Sequence, residues 1–158
     1  MENSPARVML GWREWVALPE LGIDHIKAKV DTGARSSALH TFRLQTFEEN
    51  GIARVRFSIH PLQGNTGLKR ECVADLVDER NVTDSGGHTE LRPVISTTVR
   101  LGSLCKNIEI TLANRETMKF RMLLGRTAMY GSVVVDPAAS YLLGKPDAGQ
   151  DVIGVLSI

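Results

Sequence analysis

Cysteine is scarce in this chain: Cys72 and Cys105 are the only two among 158 residues. No framework spacing links them, so the fold cannot lean on disulfides. Two such thiols suit a reducing compartment, where they behave as small apolar residues. An excess of charge of one sign is also missing. Nineteen Lys and Arg stand against eighteen Asp and Glu, with no polybasic run. Nucleic acid and anionic membrane are therefore not expected partners. Apolar runs such as "SVVVDPAASYLLG" are interrupted too soon to span a bilayer. The start, "MENSPARVML", lacks a charged segment followed by a long apolar one, so no signal peptide is expected. The chain reads as soluble and cytoplasmic.

Motifs for nucleotide and metal chemistry are lacking too. There is no Gly-x-x-x-x-Gly-Lys-Ser/Thr loop and no His-Glu-x-x-His helix. His25, His40, His60 and His88 are scattered, and neither cysteine belongs to a Cys-x-x-Cys pair. A site assembled from distant residues, such as His40 with His88 and a carboxylate, is the one metal arrangement left open. No cofactor is expected and no metal ligand is assigned. His40 reads as a strand-end residue hydrogen-bonded locally.

What the chain does contain is strand. At this length it fits one domain, 1–158, burying roughly 68–70% of its unfolded surface. The core is expected at about 8–136, with the tail 137–158 a candidate for a dimer interface. Val8 to Leu10, Trp15 to Leu18 and the alternating "IKAKV", Ile26 to Val30, read as short strands. "LQTFEENGIARVRFSI" sets Asn50-Gly51 between two alternating runs, the strongest short-range hairpin signal. Further strands are expected at Glu71 to Val77, Thr89 to Leu101, Ile108 to Ala113 and Phe120 to Leu124, with "ANRET" as a turn. Only Arg126 to Tyr130 invites a helix, of about one turn. Trp12 and Trp15, beside Leu10 and Val16, are expected in the core. The fold class is all-β, a small barrel or sandwich.

Chemistry centres on "KVDTGA". Asp31 stands where a strand enters a turn, followed by Thr32 and the permissive Gly33. Alone, Asp31 could simply accept backbone N–H groups in an Asx-turn. A weak internal echo, "MLLGRTA", repeats the apolar strand and pivots on Gly125 as the first does on Gly33.

Together, Asp31-Thr32-Gly33-Ala34 and Leu123-Leu124-Gly125-Arg126, with "GSVVVD" as a closing strand, resemble the protomer of retropepsin-like aspartic proteases. The wider run from "GWREWVALPELGI" through "ELRPVISTTVRLG" to "LLGRTAM" is similar to a bacterial family labelled ATP-dependent zinc proteases and later regrouped as retropepsin-like. The resemblance spans roughly Leu10 to Asp136. It implies a small closed acid-protease barrel, one lobe per chain, with one short helix after the second motif. It further implies an aspartic endopeptidase acting on a peptide or protein tail, and a link to ATP-grasp ligases encoded beside some members. Asp31, Thr32 and Gly33 would be catalytic, Thr32 bracing the two loops and Gly33 touching substrate backbone. Leu123, Leu124, Gly125 and Arg126 would pack on the catalytic loop.

The chain offers one Asp-Thr-Gly, whereas peptide hydrolysis of this type needs two carboxylates, one as base and one as acid. The second must come from a symmetry mate, so a homodimer is expected. A mobile hairpin should close over the substrate. Asp84, Ser85, Gly86, Gly87 and His88 are the preferred tip and, with Ala34, the expected substrate-binding residues; "GNTG", Gly64 to Gly67, is the rival. One departure stands out. Retropepsins carry an Asp two residues after the motif's Gly, paired with the Arg of the second motif. Here that position is Arg35, so Arg126 loses its expected acid. Two other readings stay open: a non-catalytic binding module on the same barrel, and a zinc peptidase.

Overall fold

The computed structural model describes residues 7–60, 69–83, 86–114 and 120–144. These fold into β1 (Val8–Leu10), β2 (Arg13–Leu18), β3 (Ile23–Asp31), β4 (Ser37–Glu49), β5 (Ile52–Ile59), β6 (Arg70–Asp75), β7 (Asp78–Thr83), β8 (Thr89–Leu101), β9 (Leu104–Asn114), β10 (Met122–Gly125) and β11 (Val133–Val135). One-turn 3-10 helices lie at Pro19–Leu21 and Arg126–Ala128. The second is the expected short helix; the first was not anticipated. No helix among the described residues is long and apolar enough to cross a membrane.

Six strands close a ring in the order β10, β3, β2, β8, β9, β4, because β10 pairs with both β3 and β4. It runs parallel to β3, with Met122 beside Ala28 and Gly125 beside Asp31, and antiparallel to β4. The two strands of the weak repeat thus lie side by side, with Gly125 level with Asp31 rather than with Gly33. This is the small retropepsin-like β fold.

Alternation explains the ring's interior. Ile26 and Ala28 on β3, Leu39 on β4, Ile110 and Leu112 on β9, and Met122 and Leu124 on β10 are fully buried in one cluster. Each large aliphatic side chain contributes about 1.5–3 kcal/mol by leaving water. Cys72 lies at the same core, its thiol pushed up to about 12 by burial.

Outside the ring, β4 continues into an antiparallel sheet with β5 and β6. The expected hairpin is there: Asn50 and Gly51 have φ of 53° and 79°, the mirror-image turn that suits twisted strands. A second hairpin, β7–β8, projects from the ring. β8 leaves β7 for β9 at Val94, next to Pro93, which has no N–H to donate.

Two expectations need correcting. Trp12 and Trp15 are half-buried. Strand parity points Glu14, Val16 and Leu18 inward instead, and Trp15 stacks on Tyr141. His40 lies inside β4 rather than at a strand end, its N–H donating to the Arg121 carbonyl at 2.8 Å.

Candidate active site

Asp31 ends β3, and its Oδ1 accepts the N–H of Gly33 at 2.9 Å and of Ala34 at 3.2 Å. The loop therefore folds around its own carboxylate, fixing where that group points. The second motif supports the loop from below. Gly125 N–H donates to the buried Ser37 hydroxyl at 3.0 Å, Arg126 N–H to the Ala34 carbonyl at 2.8 Å, and Thr127 N–H to the Arg35 carbonyl at 3.1 Å. A Cβ on Gly125 would stand 2.4 Å from the Ser36 carbonyl carbon and oxygen. Only glycine lets the two motifs approach this closely.

Arg126 answers the question raised by Arg35. Its Nη1 donates to the Gly33 carbonyl at 3.1 Å, and its Nε to the Tyr130 hydroxyl at 3.2 Å. The guanidinium thus grips the Asp31 loop through the Gly33 carbonyl and is itself steadied by the Tyr130 phenol, with no carboxylate in either contact. Tyr130 was not singled out from sequence; a hydroxyl four residues after Arg126, across one helical turn, was the available signal.

A cleft of about 730 Å³ opens over this loop. Asp31, Ala34 and Arg35 form one side, and Arg80, Asn81, Val82 and Thr83 of the β7–β8 hairpin another. His40, Arg92, Thr111 and Leu123 also border it. Asp31 is the single carboxylate among these lining residues, whereas three are arginines. Arg92 is buried and pairs with Glu90 at 2.6 Å. Arg80 donates to Glu109 at 2.7 Å and to Asp78 at 2.8 Å. Glu109 and then Asp78 raise its pKa, while the Glu79 N–H and Arg80 hold Asp78 below the usual carboxylate range.

Of the expected substrate-binding residues, Ala34 lines the cleft. Gly86, Gly87 and His88 are exposed near the tip of the hairpin, where Thr83 faces Thr89. Asp84 and Ser85 lie outside the described residues, as does the rival turn Gly64 to Gly67. Thr32 and Gly33 are exposed, Leu123 borders the cleft and Leu124 is in the core. Among the described residues, no group of three His, Cys, Asp or Glu side chains could hold a metal ion.

One buried carboxylate escaped the sequence reading. Glu14 Oε2 accepts Gly11 N–H at 2.6 Å and Leu142 N–H at 2.9 Å, and its Oε1 accepts Leu143 N–H at 3.0 Å. It straps residues 137–144 across the start of β2. An acid in the inward parity of an apolar strand was the signal.

A family model described as RimB-like, retropepsin-like aspartic endopeptidase RimB, matches residues 9–146. The chain is 41% identical over 142 residues to a Shewanella pealeana protein named "Probable alpha-L-glutamate ligase", covering 90% of this chain. It is also 41% identical over 145 residues to a protein of the same name from Desulfotalea psychrophila, covering 92%. The chain spans only 31% of the length of each of these relatives. A crystal structure of a Legionella pneumophila protein of unknown function superposes with a TM-score of 0.71 at 27% identity, covering 87% of this chain and 99% of that one.

Proposed function

The chain belongs to the RimB-like family of retropepsin-like aspartic endopeptidases, and from that premise we propose that it hydrolyses peptide bonds with two Asp31 carboxylates supplied by two copies of itself. The observation that carries this is the lone carboxylate, Asp31, in a cleft floored by the two packed motifs. Two carboxylates ~3 Å apart repel by about 5 kcal/mol at an effective dielectric of ~20. One therefore holds a proton while the other is ionised, and the pair titrates as a unit. The ionised carboxylate takes a proton from water as its oxygen attacks the scissile carbonyl carbon. The protonated partner gives its hydrogen to the carbonyl oxygen. Collapse of the tetrahedral species breaks the C–N bond, and the amine leaves with a proton from the dyad. Exposed Thr32 is free to brace one loop against the other, and the β7–β8 hairpin closes over the substrate.

The substrate class follows from charge. Three arginines, Arg35, Arg80 and Arg92, border the cleft beside one carboxylate. Arg80 and Arg92 already hold acids of their own, so Arg35 is the cation that suits an acidic peptide. Relatives that carry this domain are named glutamate ligases, so a tail bearing added glutamates is the proposed substrate and such a ligase the proposed functional partner. Replacing Asp31 by Asn tests the core of the proposal. Hydrolysis of glutamate-rich peptides should fall by at least about 10²–10⁴-fold across pH. Activity equal to the parent's would sink the proposal.

A second reading, a peptide-binding module without hydrolysis, draws on the two amides already held by Asp31 within its own loop. It predicts that the parent chain binds acidic peptides and leaves them intact over long incubation.

A further inference from the structure

Arg35, Ser36 and Arg80 border the large cleft and also a second, smaller pocket of about 200 Å³. Asn107, Ile108, Glu109 and Thr127 complete it. The lining is rich in donors: two guanidiniums, two hydroxyls and an amide. Glu109 is its one carboxylate, already bound to Arg80 at 2.7 Å. Arg35 is exposed and takes part in none of the ion pairs among the described residues. Its backbone is nonetheless fixed, since its carbonyl accepts both the N–H and the hydroxyl of Thr127, at 3.1 and 2.9 Å. The loop thus holds a cation beside Asp31 at the position where the retropepsin pattern has an acid.

We propose that this pocket is a side-chain subsite for a carboxylate flanking the scissile bond, with Arg35 its principal determinant. The inference rests on the endopeptidase reading and deepens it by assigning the charge preference to one place. A planar guanidinium matches a carboxylate with two parallel hydrogen bonds. Arg80 offers a second cation, but Glu109 and Asp78 compete for it, so an incoming carboxylate must displace an internal one. Glu109 therefore sets how strongly the subsite favours acidic residues. Arg35 at this position reverses the charge of the site and, with it, the charge of the side chain accepted.

The test uses fluorogenic peptides of one length in which single positions around the scissile bond carry Glu, Gln or Lys. The parent should prefer Glu over Gln at one position by roughly tenfold in kcat/KM, the scale of a partly exposed charge-assisted contact. Arg35→Met should bring that ratio close to one, Arg35→Glu should turn the preference toward Lys, and Glu109→Gln should raise the parental ratio severalfold. Retention of the parental Glu preference by both Arg35 variants would overturn the proposal. Should the parent hydrolyse none of the peptides, the endopeptidase reading fails separately. The subsite is then read by anisotropy of the same labelled peptides, where the Glu/Gln binding ratio must still depend on Arg35. A ratio independent of Arg35 overturns it there too. Because Arg35 is exposed, its variants should keep the parental melting temperature, and Arg80→Lys, which preserves charge, should retain most of the preference.

Discussion

Replacing Gly125 by alanine pushes a methyl group into the backbone of Ser36 and Ser37, 2.4 to 2.9 Å away. Backbone cannot step aside as a flexible side chain would, so a loss of at least about 3 kcal/mol is expected, measured by urea denaturation. Gly33→Ala differs, since its new Cβ would meet only Asp31 Oδ1, at 3.2 Å. At this scale the sequence was most readable where local chemistry decides. Asp-Thr-Gly-Ala folds around its own carboxylate, Asn-Gly turns through its positive φ angles, and Leu-Leu-Gly-Arg ends a strand at a glycine that lets another backbone come close. Trp15 was misread because its size suggested burial, whereas strand parity turned it outward. Glu14 was overlooked because nothing within a few residues of it hints at its partners, two of which lie in the chain's distant tail.

At the scale of elements, that tail strap depends on one carboxylate. Arg13 Nε reaches Ser140, the Arg13 guanidinium lies over the Tyr141 ring, and Ala139 O accepts Trp12 N–H. Glu14 supplies the interior anchor. Glu14→Ala would leave the buried Gly11 N–H and the partly buried Leu142 and Leu143 N–H groups without their acceptor. A cost of about 3–5 kcal/mol is expected, with amide exchange at Leu142 and Leu143 accelerated ahead of the β9 core. If exchange at those amides is unchanged, the strap is held by its contacts with Trp12 and Arg13 rather than by Glu14. Most strands were legible from alternation. β7 was not, because "DERNVT" forms a hairpin wall with little apolar signal. Nor was the pairing of β4 with β9, a parallel contact between distant segments that no local pattern announces.

At the scale of the whole molecule, the proposal makes activity a property of pairs. Mixing parent with Asp31→Asn chains in equal amounts, under conditions that allow exchange, should leave about a quarter of the pairs with two intact acids. Hydrolysis should then fall to about a quarter of the undiluted parent's at equal total protein. A fall to about half would point to independent chains and defeat the shared-dyad mechanism.

The placement of β10 between β3 and β4 carries a consequence for biosynthesis. Its partners, Ala28 to Asp31 on one side and Ala38 to Leu39 on the other, leave the ribosome long before Met122 does. Until then both strands present an unsatisfied edge to solvent or to a neighbouring nascent chain. The last step of closure joins residues remote in sequence, which makes it slow and exposed to misassembly. The same inserted strand that holds Asp31 rigid in the finished molecule is thus the one whose late arrival leaves the unfinished molecule vulnerable.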